Sequence, residues 1–102
     1  MALNLWWARN DGIGGHVWLD DAQLAALAEE MVAQGMAVRE DGGGAGIPLP
    51  ALAPGGRVTG PQVSDALARA QPEPTGIADA ALWEDWLAFL EGAARSGGIV
   101  AG

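Results

Sequence analysis

Cysteine, lysine and tyrosine are missing from this 102-residue chain, and histidine and phenylalanine occur once each. Without Cys there is no disulfide, no thiolate nucleophile and no cysteine metal site, a usage that fits a reducing cytoplasm. Without Lys there is no P-loop lysine and no Schiff base, and without Tyr no phenolic acid or nucleophile. The cations are five Arg against 13 acidic residues, a formal charge of -8. Such a field repels phosphate backbones and anionic lipid, which argues against nucleic acid and membrane as direct partners. No apolar run approaches the roughly 20 residues that cross a bilayer. The opening MALNLWWARND has no basic segment ahead of its apolar residues, so no signal peptide is expected. Arg as the only cation, with abundant Ala and Gly, points to a GC-rich, bacterial source.

What is present suits a folded domain. Half the residues are hydrophobic and 18% are charged, enough apolar surface to offset chain entropy, and the length is that of one domain spanning 1-102. Leu3, Leu5 and Trp7 alternate with Asn4, Trp6 and Ala8, a Gly-rich break follows, and His16-Val17-Trp18-Leu19 resumes the apolar pattern. Period two on either side of such a break predicts a β-hairpin. Asp20 or Asp21 offers an N-cap, Gln23 sits at the capping-box position, and Leu24, Leu27, Ala28 and Met31 recur at helical spacing. A first helix is expected from about Asp21 to Gln34, ended by Gly35. Met36 to Arg39 reads as a short strand or an exit. From about residue 40 to 58 glycines and three prolines predict a long mobile loop, with Ile47, Leu49 and Leu52 able to fasten its second half to the core.

Thr59 and Gln62 form a second capping box, and Val63, Leu67 and Ala70 line one face of a short helix that stops at Pro72. A third helix begins after Thr75 or Asp79, with Leu82, Trp86, Phe89, Leu90 and Ala93 as its apolar stripe and Trp83, Leu87 and Ala94 flanking it. Gly97-Gly98 ends it, leaving Ile99 to Ala101 for a last strand. The expected fold class is α+β, a small antiparallel sheet from the N-terminal hairpin and the C-terminal strand packed against two or three helices; a mostly α-helical bundle is the alternative.

Candidate chemistry is sparse. His16 has Asp11, Asp20 and Asp21 near it in sequence, but the spacing matches no metal motif. Gly12 to Gly15 precedes a strand rather than a helix N-terminus, and Asp41 to Gly46 runs into prolines, so both read as turns rather than phosphate loops. Ser64 and Ser96 lack a nucleophile-elbow context. The pairs Glu29-Glu30 and Glu84-Asp85 read as solvated helix faces, because helix neighbours point apart. No catalytic residue, cofactor or metal is expected.

Five Trp are the unusual concentration. Adjacent strand residues face opposite ways, so if Trp7 joins Leu3 and Leu5 in the core, Trp6 faces outward, covers a second layer or meets a partner. Trp83, about 100° from Leu82 around the helix, falls at the edge of its stripe. The sequence thus points to a non-enzymatic interaction module (an adaptor, regulatory or immunity-type protein) that binds a basic protein partner through Trp6, Trp83, Asp20, Asp21 and Glu84, with homo-oligomers possible. The alternative is a small-molecule-binding protein or minor enzyme with a Trp-lined pocket and His16 with Asp20 as its polar groups.

Overall fold

The computed structural model describes residues 3-9, 15-39 and 46-102. Strand β1 (Leu3–Trp7) pairs antiparallel with β2 (His16–Leu19), placing Leu3 opposite Leu19 and Leu5 opposite Val17. Helix α1 (Asp21–Ala33) follows at once, because the Asp20 carboxylate accepts from the Gln23 N–H at 2.7 Å while the Gln23 side chain accepts from the Asp20 N–H at 3.0 Å. The capping box predicted from these two residues is formed.

Two-residue strands β3 (Ala37–Val38) and β4 (Ile47–Pro48) pair in parallel, a 3-10 turn spans Leu49–Leu52, and β5 (Arg57–Thr59) runs into α2 (Gly60–Arg69). Thr59 and Gln62 close the second capping box. Helix α3 (Ala80–Arg95) starts from Asp79, whose carboxylate accepts from the N–H groups of Ala81 and Leu82. The last strand, β6 (Gly98–Ala101), enters the sheet between β1 and β5, giving the order β2-β1-β6-β5 with antiparallel pairing throughout. The fold is α+β, with three α-helices and a four-stranded antiparallel sheet among the described residues, and not a helical bundle.

Pleating sends Leu3, Leu5, Leu19, Val58, Ile99 and Ala101 to one face, where all are buried beneath the helices. Two glycines permit close approach. At Gly98, φ is +104° and a side chain would strike the Val58 carbonyl, so the turn from α3 into β6 needs glycine. At Gly92 the missing side chain leaves room for the Trp7 indole to lie against α3.

Two expectations are corrected. The stretch expected to be a loop up to residue 58 contains β4, the 3-10 turn and most of β5; its residues 40-45 lie outside the described residues. β5 is held by main-chain pairing with β6, extended by Gly55 N–H to the Ala101 carbonyl at 2.9 Å and Ala101 N–H to the Gly56 carbonyl at 3.0 Å. Three residues beside a Gly pair carry too short a pattern to reveal that. Ile47 and Leu52 are buried, fastening this stretch to the core as expected.

The second correction is the rotation of α3. Trp83, expected at the edge and available to a partner, has 0% exposure, whereas Leu82 is only half-buried. The stripe is Trp83, Trp86, Leu90 and Ala93, with Phe89 beside it. Turning Trp83 inward buries a larger side chain than Leu82, and its indole N–H finds the Gln71 carbonyl at 3.0 Å, which removes the penalty for burying it. Trp86 donates to Met31 Sδ at 3.2 Å and stacks on Phe89 with ring centroids 5.7 Å apart.

Trp83→Ala and Trp86→Ala should each cost about 3 to 5 kcal/mol as buried aromatics, and Gly92→Ala about 1 to 3 kcal/mol by driving a methyl group into Trp7. Trp18→Ala should stay within about 0.5 kcal/mol, as for an exposed site. Urea unfolding of the four variants checks the ranking.

Candidate functional site

The solvent face of the sheet carries Asn4, Trp6, His16, Trp18, Arg57 and Val100. Strand register lines up His16, Trp6, Val100 and Arg57 in one row across β2, β1, β6 and β5. Trp6 is 36% exposed and Trp18 55%. The Trp6 indole stacks on the His16 imidazole at 5.0 Å between centroids, and His16 Nε2 shares a 2.9 Å hydrogen bond with Asn4 Oδ1. Trp6 therefore faces outward, as the alternation implies, and Trp18 joins it on the same face. None of the four strands contains a carboxylate.

The acidic candidates lie elsewhere. Asp20 is engaged in the α1 capping box, Asp21 occupies the first turn of α1, and Glu84 is exposed on α3. The expected surface of Trp and carboxylate side by side is thus divided: Trp6 belongs to an acid-free sheet face, Glu84 to a helix, and Trp83 to the core. His16 and Asp20 stand at opposite ends of β2, roughly 13 Å apart at strand rise. Among the described residues the imidazole bonds the Asn4 amide, while Asp20 is engaged at the N-cap of α1.

One charged group overlooked in the sequence is central to the structure. Glu30, expected on a solvated face, is fully buried. Its carboxylate accepts from Thr75 N–H at 2.9 Å, Thr75 Oγ1 at 2.7 Å, Gln34 Nε2 at 3.1 Å and Ala78 N–H at 3.3 Å. Gln34 extends the clasp, accepting from Gln71 N–H at 2.7 Å and donating to the Glu73 carbonyl at 3.4 Å. Burial alone would raise the Glu30 pKa, but the bonds from Thr75, Gln34 and Ala78 outweigh it and hold the pKa at about 2. The sequence signal was position: Glu30 lies three residues after Leu27, on the buried side, with Gln34 one turn further on. Its neighbour Glu29 does face solvent, paired with Arg39 at 2.7 Å.

Among the described residues, no group of three or more His, Cys, Asp or Glu is placed to hold a metal ion, and no helix is long and apolar enough to cross a membrane. The chain matches no protein-family model, and comparison with curated proteins and with solved structures gives no significant match. The surfaces therefore have to be read from their own chemistry.

The Glu30 clasp fixes the sign of one pH effect. A carboxylate whose folded pKa lies below its ordinary 4.5 stabilises the fold above that ordinary value, and the contribution is lost as pH falls toward about 2. Glu30→Gln should cost about 2 to 3 kcal/mol near neutral pH and noticeably less near pH 3. Urea melts of wild type and variant at both pH values, with amide exchange at Thr75 and Ala78, check it.

Proposed function

We propose that this chain is a small non-enzymatic interaction module that binds a basic surface on a protein partner. The observation that carries the reading is where charge is placed. Every acidic side chain among the described residues lies on helices, their caps or the connections between them, and the strands of the sheet have none. Glu29 and Asp65 are paired with Arg39 and Arg69, at 2.7 and 3.5 Å, whereas Glu73, Glu84, Asp85 and Glu91 are exposed along α3 and the segment before it. On α3 and the segment before it these four acids outnumber the one basic residue, Arg95, and a local excess of one sign attracts and orients a partner of opposite sign, speeding its encounter more than it tightens the complex.

Non-enzymatic action agrees with how the reactive side chains are used. His16 is held by an amide and an indole, Asp20 caps a helix, Ser64 is exposed on α2 and Ser96 caps the end of α3. The exposed Trp6 and Trp18 supply rigid apolar area of the kind enriched at interfaces.

The test is capture from native cell extract on the immobilised chain, followed by identification and a salt series. The expected result is a basic protein retained in stoichiometric amount and released as ionic strength rises, because screening weakens contacts between exposed charges. Retention of nothing, or of an acidic partner indifferent to salt, would remove the reading.

A further inference from the structure

Resting on that reading, we propose that the groove between α3 and the Gln71–Ala78 connection is the seat of a short, basic, amphipathic segment of the partner protein. The groove has a volume of about 620 Å³. Five of its lining residues are apolar: Pro72 and Pro74 from the connection, and Ala80, Leu87 and Ala88 from α3. The other three are carboxylates, Glu84 and Glu91 from α3 and Glu73 from the facing connection, and no lining residue is basic.

Helical spacing explains why α3 can serve both the core and the groove. Ala80, Glu84, Leu87 and Glu91 recur at intervals of four, three and four, a stripe beside the buried one. From Ala80 to Glu91 the stripe runs roughly 16 Å, about three helical turns. The matching occupant presents one or two apolar side chains to Leu87 and the prolines, with arginine or lysine on both flanks to meet the carboxylates. An apolar segment without cations would leave the three acids unpaired, and a purely basic one would leave the apolar residues in contact with water.

The opposite wall is held from beneath. Glu30 fixes Thr75 and Ala78, Gln34 fixes Gln71 and the Glu73 carbonyl, and Trp83 donates to the Gln71 carbonyl. Pro72 and Pro74 restrict the span between these anchors. The groove is preformed, so an occupant does not have to order it, and less binding energy is lost on that account.

Adjacent carboxylates supply the decisive comparison. Glu84 lines the groove, whereas Asp85 lines a separate cleft with Val17, Trp18 and Leu82. Glu84→Arg and Asp85→Arg change net charge equally at neighbouring positions on one helix. The probe is a synthetic helical peptide of Leu and Arg about three turns long, titrated into the labelled full chain and followed by amide chemical shifts. The expected result is shift changes centred on Glu73, Glu84, Leu87, Ala88 and Glu91, with affinity falling about tenfold in Glu84→Arg and about twofold or less in Asp85→Arg.

Equal losses in both variants, or shifts spread over the whole acidic side, would show attraction to net charge and overturn the groove while leaving the basic-partner reading in place. Shifts at the groove residues that grow with protein concentration before peptide is added would make a second copy the occupant and overturn it as well. Absence of peptide binding overturns the groove assignment; if the extract also yields no basic protein, the functional reading falls with it.

Discussion

Burying an indole is costly unless its N–H finds an acceptor, and three such bonds, from the buried Trp83 and Trp86 and the half-buried Trp7, determine how this molecule is assembled. Trp7 donates to the Phe89 carbonyl at 3.0 Å and ties the sheet to α3. Trp86 donates to Met31 and ties α3 to α1, and Trp83 donates to Gln71 and ties α3 to the segment that precedes it. Each bond is directional as well as apolar packing being satisfied around it, so the rotation of α3 is fixed by three points rather than by hydrophobicity alone. That rotation then decides which residues of α3 remain outside. With Trp83 inward, Glu84, Leu87 and Glu91 face the Pro72–Pro74 segment, and the groove follows from the packing of the core.

The same arrangement separates two kinds of surface. The outer sheet face is aromatic and carries Arg57 and His16 without any carboxylate, while the helical side carries the exposed acids. A chain of net charge -8 is often acidic only for solubility. Arg39 and Arg69 offset Glu29 and Asp65 on the helical side, whereas Glu73, Glu84, Asp85 and Glu91 form a local excess of acid along α3 and the segment before it. The two faces differ in chemistry and meet where Trp18 of the sheet and Asp85 of α3 line one cleft.

Local chemistry was the legible part of the sequence. Both capping boxes, Asp20 with Gln23 and Thr59 with Gln62, depend on residues three apart, and the structure forms both. The outward turn of Trp6 followed from strand alternation, and the final strand from the residues after Gly97-Gly98. What stayed hidden was decided at long range. Leu82 and Trp83 are both apolar and lie on adjoining stripes, so periodicity could not choose between them; the Gln71 carbonyl, on another element, did. β5 is defined by its pairing with β6, some forty residues on in the chain. Glu30 looked like half of an exposed acidic pair because its partners Thr75 and Ala78 are 45 and 48 residues away.

Glu30 also shows why a buried charge can be kept in so small a core. A buried carboxylate is costly unless its lone pairs are filled, and an apolar replacement of similar size would avoid that cost. Such a replacement would leave the backbone N–H groups of Thr75 and Ala78 without acceptors, in a segment whose proline-rich sequence offers no helix or strand to supply them. A carboxylate accepts from several directions at once, so one side chain organises a turn that has no regular structure of its own. Its charge is the property that matters: a neutral amide would offer a donor where four donors already converge. The irregular wall beside α3 can therefore be as well defined as the helix it faces, which lets a connection rich in proline form one side of the groove.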